Sequence, residues 1–170
     1  MRFYSGFAMS DDERLFDAFL DRSDYSVAGF SYGAIAAFES VYSSKTRIDK
    51  LQLFSPAFFQ NRRESFKKLQ LSGYERDSFL YIDSFLDSCF HPYQKSQIPL
   101  GEHNIDELRE LLYYIWDIDR LQKLAERGVE IEVYLGEMDA IIDSATVREF
   151  FTPFATTYFI KGANHFLYRE

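Results

Sequence analysis

Apolar positions change their period several times along the chain, and each change marks an element. Met1 to Tyr4 is a short apolar run closed by Ser5-Gly6, which reads as a first strand and its turn. Ser10 precedes Asp11, Asp12 and Glu13. Leu15, Phe16, Phe19 and Leu20 then recur three and four apart. This predicts a helix over 11–20, with Ser10 as N-cap and acids in the first turn, where the dipole favours them. Tyr25-Ser26-Val27-Ala28 reads as a buried strand, and the small-residue run Ala34-Ile35-Ala36-Ala37-Phe38 as the start of a helix reaching about Tyr42. Ile48 to Phe54 alternates and then runs apolar, as a buried strand does, and Pro56 stops it.

From about 57 to 128 the pattern is helical throughout. A charged segment carries Arg62, Arg63, Glu64, Lys67 and Lys68, which reads as a basic helical face. An amphipathic helix follows through Phe79, Leu80, Ile82, Phe85 and Leu86. After a polar loop between Pro92 and Gly101, Asn104 or Asp106 opens one long helix running through Leu108, Leu111, Leu112, Ile115, Trp116, Ile118, Leu121 and Leu124. Gly128 closes it. Strand periodicity returns at Val129 to Gly136. Asp143 or Ser144 caps a helix through Val147 and Phe150-Phe151, and Thr156 to Ile160 is the last strand.

Strands alternating with helices give an α/β class, with a mostly parallel sheet of about five strands in one domain over 1–170. Residues 57–128 form a helical insertion between two strands, placed as a cap. If the strands lie side by side in chain order, right-handed crossovers put the 11–20 helix on the same face as the helix after Ser31. The other face then needs cover from the C-terminus, the insertion or a second subunit.

Composition narrows the picture. The 170 residues are 46% hydrophobic and 18% aromatic, as a folded protein requires. The formal net charge of −8 makes nucleic acid and anionic membrane poor partners. No apolar run approaches a membrane span, and the N-terminus lacks the pattern of a secretory signal. The one cysteine, Cys89, excludes an internal disulfide and fits core packing in a cytoplasmic protein.

The chemistry sits at Gly29-Phe30-Ser31-Tyr32-Gly33, between a strand and a helix. Gly-x-Ser-x-Gly at such a turn is the nucleophile elbow of α/β-hydrolases, with the serine held up beside the N-terminus of the next helix. A serine nucleophile needs a base and an acid to orient the base, in the chain order Ser, acid, His. Of three histidines only His165 follows a terminal strand; His91 and His103 fall in the insertion. Glu137, Asp139 and Asp143 compete for the acid. Asp139 sits at the turn after the fourth strand, whereas Asp143 is better explained as a cap. The oxyanion hole needs two N–H donors: one from Tyr32, which follows the nucleophile, and one from Phe7 in the loop after the first strand.

Four segments then carry a more specific likeness: Phe3-Tyr4-Ser5-Gly6-Phe7-Ala8, Gly29-Phe30-Ser31-Tyr32-Gly33-Ala34, Gly136-Glu137-Met138-Asp139 and Gly162-Ala163-Asn164-His165-Phe166. Together they resemble the pimeloyl-acyl-carrier-protein methyl ester carboxylesterases of biotin synthesis, in the short BioV form. The sequence departs from the usual pattern at Ser5, where His is common, and at Ala8, where a second Gly is common. The resemblance implies a minimal α/β-hydrolase that hydrolyses the methyl ester of pimeloyl-acyl carrier protein, with Ser31 as nucleophile, His165 as general base and acid, and Asp139 as orienter. Phe7 and Tyr32 would bind the oxyanion. No metal or cofactor is implied.

An acidic carrier protein meeting an acidic enzyme needs a local basic patch. Arg62, Arg63, Lys67 and Lys68 fall largely on one side of a helix and are the candidate carrier site; a solvated charged face is the alternative. Of the aromatics in the insertion, Phe58, Phe59, Tyr81, Phe85, Tyr113, Tyr114 and Trp116, most are expected to pack between cap and sheet and some to line an acyl cleft. Two other functions fit the same motifs: a general acyl ester or thioester hydrolase with no carrier partner, and a non-catalytic interaction protein. An intact Ser31, Asp139 and His165 argue against the last.

Overall fold

A computed structural model describes residues 1–170. Five parallel strands stand side by side in chain order: β1 (Arg2–Tyr4), β2 (Ser26–Phe30), β3 (Lys50–Phe54), β4 (Glu130–Gly136) and β5 (Thr156–Ile160). The α-helices are α1 (Tyr32–Ser43), α2 (Glu64–Arg76), α3 (Ser78–Phe90), α4 (Ile105–Tyr113), α5 (Ile118–Glu126) and α6 (Ser144–Phe151). Between β3 and β4 lie α2 to α5 and no strand, only an isolated bridge from Leu100 to Met9. β2 and β3 are buried along almost their whole length, which is why they read as continuous apolar runs.

Register and strand alternation divide the side chains between two faces. Phe3, Phe30, Gln52, Phe54, Tyr134 and Tyr158 share one face; Tyr4, Gly29, Leu53, Val133 and Phe159 share the other. α1 and α6 cover the second of these, and α5 packs beside α1. Arg2, on that face, donates to Ser40 Oγ in α1 at 3.2 Å. Arg120 of α5 lies over Phe38 and Tyr42, and Arg148 of α6 over Phe159.

The segment from β1 to β2 departs from expectation twice. It forms a single 3-10 turn, Asp12–Phe16, in place of a helix over 11–20, and Ser10 is not its cap. It also crosses the opposite face from α1: Phe16 packs on Phe3, Phe30 and Phe54, and Phe19 on Phe54 and Tyr134. The β1–β2 and β2–β3 connections step the same way across the sheet on opposite faces, so their hands are opposite. The handedness rule describes strand–helix–strand units, and this link has no α-helix to impose it. Side chains supply what a helix would have given its backbone. The Asp12 carboxylate accepts from Gly6 N–H. Gln52 Oε1 accepts from Asp21 N–H at 2.8 Å, while Gln52 Nε2 donates to the Phe19 carbonyl at 2.9 Å. The face expected to lack cover is covered by this link and by the C-terminal segment, where Phe166 packs on Phe30 and on Phe90 at the end of α3.

The long helix expected from Asn104 to Gly128 is two helices. Asn104 caps α4 through the N–H groups of Asp106 and Glu107, and Asp117 caps α5 through that of Arg120. The break at 114–117 is set by Trp116. Its N–H donates to Gln60 Oε1 at 2.8 Å and its indole Nε1 to the Ala57 carbonyl at 2.9 Å. Its ring is packed among Phe38, Tyr114 and Phe151. An apolar stripe continuous across the break hides it from a periodicity reading. Glu39 of α1 then anchors the cap, accepting two bonds from the Arg120 guanidinium and one from Tyr114 OH. No helix is long and apolar enough to cross a membrane.

Trp116→Ala is expected to lower the free energy of unfolding by about 3–5 kcal/mol, the usual loss for a large buried aromatic. Trp116→Phe keeps a ring but leaves the Ala57 carbonyl without its donor, at a loss of about 1–3 kcal/mol. Phe79, 84% exposed at the start of α3, serves as control: Phe79→Ala should stay within about 0.5 kcal/mol of the parent in urea unfolding followed by far-UV circular dichroism.

Candidate active site

The site is assembled from the carboxyl ends of β1, β2, β4 and β5. At the end of β2 the chain reverses into α1 through Ser31, which has φ 52° and ψ −113°, a strained conformation for a residue with a Cβ. Neighbours hold the turn. Ser31 N–H donates to the Phe54 carbonyl, and the Ser31 carbonyl accepts from the N–H groups of Ala34 and Ala57. A Cβ at Gly29 would lie 2.2 Å from the Gly33 carbonyl oxygen, and one at Gly33 would lie 2.1 Å from that of Tyr4. Two glycines are therefore a steric condition of bringing α1 this close to β1.

His165 lies in the loop after β5 and is fully buried. Asn164, also fully buried, shapes that loop. Its Oδ1 accepts from the N–H groups of Phe166 and Tyr168, and its Nδ2 donates to the Phe90 carbonyl at 3.0 Å. Asp139 follows β4. Its Oδ1 accepts from the N–H groups of Ile141 and Ile142, which leaves Oδ2 directed at His165 Nδ1, 2.7 Å away. His165 Nε2 lies 3.1 Å from Ser31 Oγ. With Nδ1–H donating to Asp139, the Nε2 lone pair faces the serine hydroxyl and can accept its proton.

The competitors for these positions are engaged elsewhere. Asp143 caps α6 through Thr146 N–H and Oγ1, which hold its carboxyl below the usual range. Glu137 accepts from Gly162 N–H and ties the two loops together. His103 meets Tyr74 OH at 2.7 Å, and His91 is exposed at the end of α3. Cys89 is fully buried, and burial pushes its thiol well above its ordinary range.

The N–H of Phe7 has no acceptor within the protein. Tyr32 is the first residue of α1, where a helix leaves its N–H free, and Phe7 lines a cleft with Ser31. That cleft, of about 450 Å³, runs between the sheet and α2, α3 and α4. Phe59, Phe66, Tyr81, Phe85, Leu108, Leu111 and Leu112 supply most of its apolar wall. Of the seven insertion aromatics named from the sequence, some of which were expected to line it, Phe59, Tyr81 and Phe85 do. Phe58, Tyr114 and Trp116 pack into the interior, and Tyr113 lies at the surface, bonded to Glu64.

The four cations do not form one basic helical face. Arg62 and Arg63 precede α2, which starts at Glu64. Lys67 is 7% exposed, with its ammonium 4.8 Å from the Tyr113 ring centre, and Lys68 reaches Glu64 at 3.9 Å. A lysine buried against an aromatic ring is a packing feature that charge spacing cannot reveal. Arg62 lines the cleft and, with Arg63, Phe66 and Leu69, a shallow groove that continues it. Sequence reasoning passed over Asn164 and Asp12. Asn164 stands beside His165 in the motif and was legible there; Asp12 looked like one of three helix-turn acids.

No protein-family model matches the chain, and no curated protein sequence does. Solved structures do. Naproxen esterase from Bacillus subtilis is similar at 18% identity and TM-score 0.53, over 84% of this chain and 53% of its own. Carboxylesterase CesB from the same organism is similar at 16% identity and TM-score 0.53, over 91% and 57%. BioG from Haemophilus influenzae is similar at 12% identity and TM-score 0.62, over 96% and 87%. The chain spans about half the length of the naproxen esterase it matches. Identities this low speak to architecture alone, and the architecture is that of the α/β-hydrolases.

Proposed function

We propose that the protein is a serine carboxylesterase that hydrolyses the methyl ester of pimeloyl-acyl carrier protein. One observation carries the catalytic half of this reading: Ser31, His165 and Asp139 form a continuous hydrogen-bonded chain whose serine opens into an apolar cleft. The substrate half rests on the four motifs shared with the biotin-synthesis esterases, and the similarity to BioG in fold is consistent with it.

In this reading Ser31 Oγ attacks the ester carbonyl as its proton passes to His165 Nε2, and Asp139 steadies the imidazolium through Nδ1–H. The N–H groups of Phe7 and Tyr32 receive the oxyanion. Collapse expels the methoxy group, which takes the proton from Nε2 and leaves as methanol. A water molecule gives one proton to the same nitrogen as it attacks the acyl-enzyme; on collapse Nε2 returns that proton to Ser31 Oγ, and the acid product loses its remaining proton to solvent and departs as a carboxylate. The apolar cleft suits a methylene chain, each buried methylene contributing up to about 0.8 kcal/mol. The carrier protein stays outside, against the groove of Arg62 and Arg63, with Lys68 beside it. Lys67 is too buried to join them, so the carrier site is smaller than the four cations expected.

The direct test is methanol release from pimeloyl-acyl carrier protein methyl ester. Ser31→Ala and His165→Ala are each expected to lower kcat by about ten thousand-fold or more, and Asp139→Ala about a hundredfold less severely. Covalent labelling by a phosphonate at any residue other than Ser31 would falsify the nucleophile assignment. Arg63→Glu with Lys68→Glu should raise KM for the carrier-bound ester about tenfold and leave p-nitrophenyl butyrate turnover within about twofold, with added salt mimicking the effect on the carrier. Turnover of the small ester with none of the carrier-bound one would establish the general esterase reading instead.

A further inference from the structure

Asp12 is 1% exposed, and no basic side chain pairs with it. Burial pushes its carboxyl above the usual range, against the pull of Gly6 N–H and the Ser5 side chain. Its Oδ2 accepts from Gly6 N–H at 2.8 Å, while Oδ1 has no hydrogen-bond partner. An unpaired buried carboxyl is costly, and this one makes its bond to the residue just before Phe7.

We infer that Asp12 is the positioning residue of the oxyanion loop, holding the backbone so that Phe7 N–H faces the reacting carbonyl; the inference deepens the hydrolase reading above and rests on it. Phe7 N–H and the Gly6 carbonyl belong to one flat peptide and point opposite ways. The Gly6 carbonyl accepts from Met9 N–H at 3.1 Å, which fixes that plane from one side. Gly6 has no Cβ to restrict its rotation, so the preceding plane, which carries Gly6 N–H, needs its own anchor, and Asp12 supplies it. A bulkier residue at position 6 cannot do this, because a Cβ there would lie 2.7 Å from the Phe30 ring.

The rest of the loop is held from the cap side. Ser10 N–H donates to the Pro99 carbonyl, Gly101 N–H donates to the Ala8 carbonyl, and the Phe7 ring packs on Tyr74, Phe85 and His103. Ala8, at φ 60°, sits where a turn of this kind calls for a positive φ, so the loop carries strain that these anchors oppose. Only the Gly6 end depends on a single side chain. A neutral amide has the oxygen this bond requires, whereas a methyl group does not.

The experiment compares Asp12→Ala, Asp12→Asn and the parent chain on p-nitrophenyl butyrate, with backbone amide exchange followed in parallel. Asp12→Ala is expected to lower kcat about 10- to 100-fold with KM within about twofold, because the donor serves the transition state more than the ground state. Asp12→Asn should recover kcat to within about threefold. Amide exchange at Gly6, whose N–H bonds to Asp12, should speed up at least about tenfold in Asp12→Ala and keep the parent rate in Asp12→Asn. A parental kcat in Asp12→Ala, or equal losses in both variants, overturns the inference. If the parent chain turns over no ester, the hydrolase reading fails by itself, and the exchange arm still decides what Asp12 holds. Should Asp12→Ala not fold, Asp12→Ser replaces it; failure of both to fold makes Asp12 a fold determinant and overturns the positioning role.

Discussion

At Gly33 α1 approaches the end of β1 so closely that no side chain fits between them, and the site depends on it. Because no side chain intervenes, the first turn of α1 reaches the Tyr4 and Ser5 carbonyls. The strained Ser31 is thereby held on the rim of the sheet, beside the loop that follows β1. The same contact sets the first turn of α1, which begins at Tyr32, against Tyr4 and Ser5 at the start of the loop that carries Phe7. Everything on the opposite side, Asp139 on its Asx-type turn and His165 in the loop built by Asn164, is aimed at a point that this contact defines.

Much of this was legible in the residues. Gly29, Ser31 and Gly33 between an apolar run and a small-residue run gave the elbow, because steric demand leaves a mark in residue type. Asp139 and His165 followed from strand ends and chain order. What stayed hidden was set by long-range partners. The 11–20 segment has the periodicity of a helix, yet Gln52, more than thirty residues away in β3, satisfies its backbone in another conformation. Trp116 divides a continuous stripe because its indole finds the Ala57 carbonyl. Lys67 is spaced like a surface cation and is buried against Tyr113. In each case a local pattern agreed with two structures, and a distant group chose between them.

The cap and the sheet form one structure. Glu39 on α1 grips Arg120 and Tyr114, Tyr32 OH donates to Glu110 on α4, and the Pro99–Gly101 segment pairs with the loop that holds Phe7. The wall of the cleft is thus tied to α1 and to the loop that carries Phe7, the two elements that flank Ser31. This is how a short chain gains rigidity around its site: elements that cover the cleft also brace it.

The strand order has a consequence for assembly. Each strand pairs with its predecessor in the chain, so the sheet can grow from β1 towards β5 without any strand being inserted between two others. The costly step is pairing β4 with β3, which must first close the loop from Phe54 to Glu130 that contains the whole cap. His165 and Phe166 arrive after β5, and only then do Phe30 of β2 and Phe90 of α3 gain their contacts with Phe166. In synthesis from the N-terminus Ser31 precedes its hydrogen-bond partner His165 by 134 residues, so the contact between them can form only after β3, the helices that follow it, β4 and β5 have been made.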